Sequence, residues 1–218
     1  AKASNFSHPV FIGLDASRFD KHVGVLHLRA EHAIYLASNP DPLFQQLLSW
    51  QLTNTCFSNL GMVYKVSGRR MSGDMNTAVG NCVIMMLMIS AYMARLQVCK
   101  WDVVDDGDDS VLIVESHVVQ LLLDTVKPFF LNFGMVMKIE KVADSIHGLE
   151  FCQSHIIEYG VGRYKFVRNW TKVVSNALSG TRHWESARYR AKVLHAVGLC
   201  ELDLIVSIPA LQAFADCL

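Results

Sequence analysis

The alternation of apolar and polar positions along the chain predicts a mixture of short strands and amphipathic helices. Short apolar runs bounded by polar or turn residues predict strands at residues 10–14, 62–66, 98–104, 110–114, 135–139, 149–152 and 164–167. Stretches with helical spacing predict helices at 15–36, 43–52, 75–94, 116–133 and after 175. Because strands and helices alternate irregularly, we expect an α+β fold rather than a doubly wound sheet.

The most apolar segment, residues 75–94, carries no charged side chain. Only residues 82–94 are predominantly apolar, and this stretch is shorter than the roughly 20 residues that a membrane span needs. We therefore expect a buried core helix and no transmembrane segment. In the shorter helix at 43–52, the spacing predicts that Leu47, Leu48 and Trp50 share the apolar side.

Composition favours a folded chain of one domain or one and a half. The 218 residues are 51% apolar and only 18% charged, and 20 Lys and Arg balance 20 Asp and Glu. A net charge of zero excludes a uniformly basic nucleic-acid coat protein but allows a local basic channel. The six cysteines form no C-x-x-C pair, so we expect free thiols. The chain lacks an initial Met, and we expect its natural start to lie upstream.

An acidic hairpin is the strongest chemical signal. Five Asp lie within residues 102–109 around an Asp-Gly pair between two predicted strands, a pattern typical of a tight hairpin. The cluster is either a solvated acidic turn or a cation site, since a cation offsets such repulsion. A calcium loop of the EF-hand kind fails, because Val104 and Ile113 stand where oxygen ligands belong. If the strand ending at Asp15 lies beside the hairpin, its carboxylate and that of Asp108 suit Mg²⁺.

A polar segment before the apolar helix supplies a second candidate site. Ser72 and Gly73 precede the helix, and Thr77 and Asn81 share one helical face because they are four residues apart. These groups either cap the helix locally or bind a sugar through hydroxyl and amide hydrogen bonds. A 2′-hydroxyl is the group that distinguishes RNA from DNA.

Together these segments resemble motifs A, B and C of viral RNA-dependent RNA polymerases, in particular the tombusvirus-like enzymes of positive-strand RNA viruses. The matching strings are Asp15-x-x-x-x-Asp20, Ser72-Gly73-x-x-x-Thr77-x-x-x-Asn81 and Gly107-Asp108-Asp109. Two later strings resemble motif D and the motif E primer grip, namely Met137-Lys138-Ile139-Glu140 and Leu149-Glu150-Phe151-Cys152-Gln153. The resemblance covers residues 10 to about 175.

The resemblance implies a role for each matching residue. Asp15 and Asp108 would bind two Mg²⁺ ions, which Mn²⁺ can replace, with Asp109 as a weaker ligand. Lys138 or Lys141 would protonate the leaving pyrophosphate. The ribose of the incoming nucleotide would be bound by Asp20, Ser72, Gly73, Thr77 and Asn81. The 3′ end of the growing strand would be held by Phe151, Cys152 and Gln153.

The resemblance also implies an architecture and partners. Residues 1–20 and 71–160 would form the palm, an antiparallel sheet packed on helices. Residues 21–70 would belong to the fingers and 161–218 to the start of the thumb, where Arg182, Arg188, Arg190 and Lys192 either contact RNA or form a solvated face. The partners would be RNA template, nascent strand, nucleoside triphosphates and other viral replication proteins. The location would be the host cytoplasm, with membrane-bound replication complexes reached through parts outside this chain.

Two alternatives remain open at this point. A reverse transcriptase palm shares the metal-binding aspartates, although Gly107 favours RNA copying. A polymerase fragment that binds RNA or protein without catalysis is favoured by a missing basic motif F, because Lys2 is the sole Lys or Arg before Asp15. We therefore expect little or no RNA synthesis from these 218 residues alone.

Overall fold

An antiparallel four-stranded sheet organises the first of two compact units in the computed structural model, which describes residues 2–180, 184–205 and 208–218. This unit runs to Ser145 and the second begins at Ile146. The elements of the first unit, in chain order, are β1 (Pro9–Ala16), α1 (Phe19–His22), α2 (Val25–Ser38), α3 (Pro42–Trp50), β2 (Thr53–Phe57), β3 (Val63–Ser67), α4 (Thr77–Arg95), β4 (Trp101–Asp106), β5 (Asp109–Glu115), α5 (Val119–Leu131) and β6 (Met137–Ala143).

The sheet has the strand order β4-β5-β1-β6, so the two long apolar strands lie at its centre. Strand β1 pairs with β5 on one side and with β6 on the other, and every pairing is antiparallel. Alternate residues of β1 point to opposite faces. Ile12, Leu14 and Ala16 enter the core, which leaves Gly13 and Asp15 on the other face. The prediction of a mixed α+β fold with antiparallel strands is confirmed.

Helix α4 forms the centre of the core. Seven of its residues are buried, including Ile84, Met88 and Tyr92. The Tyr92 hydroxyl lies 3.0 Å from the Leu122 carbonyl oxygen of α5, which satisfies its polar end inside the apolar interior. By length and composition alone α4 would also be able to cross a membrane, with 39% of its most apolar window buried in the protein.

A two-stranded hairpin, β2–β3, follows α3 and carries the chain back towards α2. Gly68 ends this hairpin with φ +71°, and a Cβ there would lie 2.8 Å from the backbone nitrogen of Val25. Glycine is therefore required both by conformation and by space. In α3 only Leu48 is buried, whereas Leu47 and Trp50 are 45% and 61% exposed, so the predicted apolar side of this helix is wrong for those two residues.

The second unit is built on a three-stranded antiparallel sheet of order β7-β8-β9. Its elements are β7 (Glu150–Phe151), β8 (Ser154–Gly160), β9 (Arg163–Arg168), α6 (Trp170–Ala177), α7 (Ala187–Leu204) and α8 (Pro209–Asp216). Helices α7 and α8 pack closely, because a Cβ on Gly198 would lie 2.7 Å from the Ala215 carbonyl oxygen. An ion pair of 3.1 Å joins Arg168 of β9 to the buried Glu201 of α7.

The structure gives the positions of the basic residues and the cysteines that the sequence singled out. Of the basic set, Arg188, Arg190 and Lys192 lie on α7, and Arg182 lies outside the described residues. None of the six cysteines, all of which lie in the described part of the chain, forms a disulfide, as predicted, and four of them are exposed.

Candidate active site

A row of charged residues crosses all four strands of the main sheet at one end. Asp106 of β4 pairs with Asp109 of β5, Asp109 pairs with Asp15 of β1, and Asp15 pairs with Lys138 of β6. Directly paired residues have Cβ atoms about 4.5–5.5 Å apart on the same face. Like charges in such positions repel, so this end of the sheet concentrates negative charge next to a single lysine.

Asp108 lies in the tight turn that joins β4 and β5. The turn has two central residues, of which Gly107 has φ +87° and Asp108 keeps a negative φ, as in a type II′ turn. The predicted hairpin is confirmed. The backbone nitrogen of Ala16 donates a 2.9 Å hydrogen bond to the Asp108 carbonyl oxygen, so the turn is fixed next to the end of β1.

Burial and neighbouring carboxylates raise the pKa of Asp108. Desolvation is the larger cause, and the negative charges of Asp15, Asp20 and Asp106 act in the same direction. Asp102, the fifth aspartate of the acidic segment, is outside this group. Its pKa is lowered because it forms an ion pair with Lys2.

Asp105 occupies the opposite, core-facing side of the hairpin. Its register partner is the fully buried Ser110, and its Oδ1 accepts a 3.0 Å hydrogen bond from the Gly107 backbone nitrogen. Its Oδ2 is buried and has no hydrogen-bond partner among the described residues. Burial first, and then the charges of Asp106 and Asp108, raise the pKa of Asp105 to about 7.

The donor set at the end of the sheet suits a hard cation. Carboxylate oxygens are the ligands that Mg²⁺ prefers, and a cation would offset the repulsion among Asp15, Asp106 and Asp109, which are direct partners across the strands. Within residues 2–180, 184–205 and 208–218, no three His, Cys, Asp or Glu side chains already converge as a metal site. Since Asp15 and Asp109 are register partners, side-chain rotation alone is sufficient to bring their carboxylates together.

The two candidate lysines differ in their distance from Asp15. Lys138 is its register partner, and the lysine Nζ lies 3.4 Å from Asp15 Oδ2. Lys141 pairs with Gly13, two positions back along β1, after an irregularity in the β1–β6 pairing. Two strand residues span about 6.6 Å, so Lys138 is the lysine placed at the carboxylates.

Three of the five predicted ribose-binding residues, Asp20, Ser72 and Asn81, form one hydrogen-bonded cluster. Asp20 Oδ1 accepts a 2.9 Å bond from Asn81 Nδ2, and its Oδ2 accepts a bond from the Ser72 hydroxyl. The three side chains come from α1, from the loop before α4 and from the second turn of α4. A cluster with hydroxyl, amide and carboxylate groups can donate to and accept from a sugar hydroxyl.

Thr77 and Gly73 hold the loop that carries Ser72 instead of joining the cluster. The Thr77 hydroxyl lies 2.9 Å from the Asp74 carbonyl oxygen and accepts a 3.3 Å bond from the Gly73 backbone nitrogen. Thr77 therefore fixes the loop conformation. Gly107 contacts the cluster from the other side, since a Cβ on it would lie 3.0 Å from Asn81 Cβ.

A buried polar network behind this cluster was not predicted from the sequence. Arg70 Nε donates a 2.9 Å bond to Asn81 Oδ1, and its guanidinium forms an ion pair with Glu31 of α2. Glu31 also accepts a 2.7 Å bond from Asn76 Nδ2, and Gln51 Nε2 donates a 2.7 Å bond to Asn76 Oδ1. One feature of the sequence indicates a buried charge here. Glu31 is three residues after Leu28 on a predicted helix, and this spacing places both on the face that packs against the core.

The predicted primer-grip residues form a tight turn in the second unit. Phe151 ends β7, and Cys152 and Gln153 are the central residues of the turn, with φ +48° and +58°. Positive φ at both positions defines a type I′ turn, which residues other than Gly, Asn and Asp adopt rarely. The Gln153 carbonyl oxygen accepts a 3.0 Å bond from the Asn169 backbone nitrogen.

Carboxylates and a lysine at one end of an antiparallel sheet, beside a cluster of hydroxyl, amide and carboxylate groups, suit enzymes that transfer nucleotidyl groups with divalent cations. Comparison with known proteins agrees with this class. Residues 1–218 match the family described as viral RNA dependent RNA polymerase. The chain therefore belongs to the viral RNA-dependent RNA polymerase family.

Individual relatives are similar over nearly the whole chain. The RNA-directed RNA polymerase of Tobacco necrosis virus (strain A) is 37% identical over 218 residues, which cover 98% of this chain and 30% of the relative. Those of Groundnut rosette virus (strain MC1) and Tomato bushy stunt virus (strain Cherry) are also 37% identical, over 96% and 98% of this chain. The chain spans 25% and 26% of those two relatives.

Proposed function

We propose that this chain carries the palm of an RNA-directed RNA polymerase and catalyses template-directed nucleotidyl transfer. In this reaction the 3′-hydroxyl of the growing RNA attacks the α-phosphorus of a nucleoside triphosphate. A new phosphorus–oxygen bond forms, the bond to the bridging oxygen breaks, and pyrophosphate leaves. The four-stranded antiparallel sheet with helices against one face is the palm in this proposal.

The row of charges across the sheet is the observation that carries the proposal. Asp15 and Asp108 would hold Mg²⁺, with Asp109 as an additional ligand, because the turn and the end of β1 are joined by a backbone hydrogen bond. Two bound ions would lower the pKa of the attacking hydroxyl and neutralise the leaving pyrophosphate. The protein contributes carboxylates fixed in register, so little reorganisation is needed when substrate binds.

Lys138 is the residue that we assign to the leaving group. Its ammonium donates a proton to an oxygen of the departing pyrophosphate, which removes charge as the bond breaks. Asp15, 3.4 Å from the lysine Nζ, holds the ammonium at the carboxylates. Lys141 is two strand positions further away and is assigned no step.

The cluster of Asp20, Ser72 and Asn81 would bind the ribose of the incoming nucleotide. Ser72 and Asn81 both donate to the Asp20 carboxylate, so a 2′-hydroxyl entering the cluster finds donors and acceptors already oriented. A site built to bond a hydroxyl rejects an analogue that lacks it, because its polar groups would then lose a partner.

Other parts of the proposal concern the nucleic acid. Phe151, Cys152 and Gln153 would hold the 3′ end of the nascent strand, and the stiff turn at Cys152 and Gln153 supports such a role. The proposed substrates are nucleoside triphosphates and an RNA template, and the proposed process is viral RNA replication in the host cell. Similarity to RNA-directed RNA polymerases favours RNA copying over the reverse transcriptase alternative.

The deciding experiment measures Mg²⁺-dependent extension of an RNA primer on an RNA template. It uses a polymerase chain that contains these 218 residues, with Asp108→Asn, a substitution that keeps the shape and removes the charge. We expect incorporation of UTP to fall roughly a thousandfold or more, since metal-held charge stabilisation is worth several kcal/mol.

Asp102→Asn is the matched control. It removes a carboxylate from the same hairpin, but that carboxylate pairs with Lys2 outside the charged row, so extension should stay near the wild-type rate. Undiminished extension by Asp108→Asn would contradict the proposal. Preferential use of deoxynucleotides by the wild-type protein would favour the reverse transcriptase alternative.

A further inference from the structure

The Asn81 side chain is held in a single orientation by one partner on each side. Arg70 Nε donates to Asn81 Oδ1 over 2.9 Å, and Asn81 Nδ2 donates to Asp20 Oδ1 over 2.9 Å. A guanidinium can only donate and an ionised carboxylate can only accept. If the amide rotated by half a turn, its N–H groups would face the Arg70 donor and its oxygen would face the Asp20 acceptor. The observed orientation is therefore the one that both partners favour.

Arg70 is itself fixed by a buried ion pair. The side chains of Arg70 and Glu31 are both 0% exposed, and the second oxygen of Glu31 accepts a 2.7 Å bond from Asn76. Burying two charges costs desolvation energy, so a buried ion pair does not by itself stabilise a fold. A role in positioning neighbouring groups therefore explains this pair better than a role in stability.

Helix α4 is shaped around this pair. A Cβ on Gly80 would lie 2.2 Å from Glu31 Oε1 and 2.5 Å from Arg70 Nη2, so only glycine leaves room for the two charged groups. The backbone adds a further tie, because the Arg70 nitrogen donates a 3.0 Å bond to the Asp20 carbonyl oxygen. Arg70 thus contacts both members of the Asp20–Asn81 hydrogen bond.

We infer that the Glu31–Arg70 ion pair is a positioning element that sets the preference of this site for ribose over 2′-deoxyribose. The inference rests on the proposed function, and it adds residues that do not touch the nucleotide. By fixing the Asn81 carbonyl towards Arg70, the pair keeps the amide N–H groups towards Asp20 and the sugar. Without the pair, the amide keeps only its bond to Asp20 and can swing about that bond, so its second N–H group loses its fixed direction towards the sugar.

The test compares kcat/KM for UTP and for 2′-deoxy-UTP in the same polymerase preparation. Their ratio does not depend on the active fraction, so a loss of folded protein does not imitate the expected effect. The principal variant is Glu31→Met/Arg70→Met, which replaces the pair with apolar groups of similar volume, a change often neutral for stability. In the wild-type chain Asn76 Nδ2 already has a second acceptor, Gln51 Oε1, at 3.3 Å, and this acceptor is not removed by the double substitution.

We expect the double variant to lose about tenfold of its preference for UTP, a change of about 1.4 kcal/mol, because the sugar loses one oriented hydrogen bond. We expect the same direction for Arg70→Lys, since Arg70 uses two different nitrogens for Asn81 and Glu31, whereas a lysine has a single nitrogen on a flexible stem and lacks this fixed fork. Lys100→Met is the control, because it breaks an ion pair with Glu115 at the far end of β5 and should leave the ratio unchanged.

A purely structural role for the pair predicts a different result, namely altered thermal stability with an unchanged UTP preference. Wild-type preference in the double variant, or in Arg70→Lys if the double variant does not fold, would overturn the inference. Asp108→Asn is measured in parallel to separate the two proposals. Activity that survives Asp108→Asn would overturn the proposed function and this inference with it.

Discussion

Lys138 Nζ lies 3.4 Å from Asp15 Oδ2, and the two residues are direct partners across β1 and β6. The lysine is 62% exposed and the aspartate 27%, so solvent and an incoming substrate both reach this pair. An exposed ion pair of this kind contributes little to stability. Its position beside the proposed metal ligands is therefore better explained by chemistry than by folding.

Replacing Lys138 should slow nucleotide addition far more than replacing Lys141. We expect Lys138→Met to lower kcat roughly a hundredfold, because a general acid contributes about 10²–10⁴-fold. Lys141→Met should stay near wild type, since Lys141 pairs with Gly13 and not with Asp15. Single-nucleotide incorporation under rapid mixing measures both rates. Equal losses in the two variants would show that the lysines act through general charge instead.

Asp105 should make stability depend on pH in a defined window. Its pKa is raised from 3.8 to about 7, so between about pH 4 and 7 the folded chain holds a proton that the unfolded chain releases. The free energy of unfolding should therefore fall as pH rises through this window and level off above it. Asp105→Asn should flatten this slope, measured by chemical denaturation in Mg²⁺-free buffer.

The control for that prediction is Asp102→Asn. The pKa of Asp102 is lowered by Lys2, so its contribution to stability is lost only below about pH 4. This variant should leave the slope between about pH 4 and 7 unchanged. An identical slope in wild type and Asp105→Asn would mean that Asp105 is ionised throughout the window.

Gly80→Ala should destabilise the protein although alanine is the better helix former by about 1 kcal/mol. The added Cβ would lie 2.2 Å from Glu31 Oε1, and overpacking of this kind costs about 1–3 kcal/mol. The cost should shrink when Glu31→Ala is present, which a double-mutant cycle of unfolding free energies measures. Equal costs in both backgrounds would contradict a direct contact between the two positions.

Glu115 should protect the sheet against acid. The Lys100 ammonium, 2.5 Å away, and the backbone nitrogens of Ser7 and His8 lower the pKa of Glu115 from 4.5 to about 2. Its contribution to stability is present above about pH 4.5 and is lost as pH falls through about 2. Lys100→Met should move the acid-unfolding midpoint upward by roughly a few tenths of a pH unit. Glu115→Gln should abolish any further effect of Lys100→Met.

The elements that position the carboxylates are predictable because their signals are local. The apolar run that ends at Asp15 and the Asp-Gly pair at 106–107 predict a strand and a hairpin from adjacent residues alone. Strands β2 and β8 were not predicted because they carry no such signal. β2 is Thr-Asn-Thr-Cys-Phe with no buried residue, and it is defined by its partner β3 and not by its own pattern.

The cluster at Asp20, Ser72 and Asn81 was predicted through the order of motifs, whereas the Glu31–Arg70 pair behind it was missed. Glu31 and Arg70 are 39 residues apart, on α2 and in the loop before α4, and they meet only when the chain folds. The sequence of the hairpin also does not show which of its aspartates face the core. Asp106 lies in the charged row, whereas Asp105 faces the core. A shift of the turn by one residue would exchange these two faces, and the sequence alone does not say which two residues form the turn.

The close approach of Gly107 to Asn81 limits which residues position 107 can carry. A methyl group at the turn would press on the side chain that the helix offers to the sugar, at 3.0 Å from its Cβ. A residue with a side chain at position 107 would therefore disturb Asn81 as well as the turn. Because Gly107 also has φ +87°, a smaller residue at position 81 would relieve the contact but not the backbone strain, so the conformation of the turn and the ribose-binding side chain both require glycine at this position.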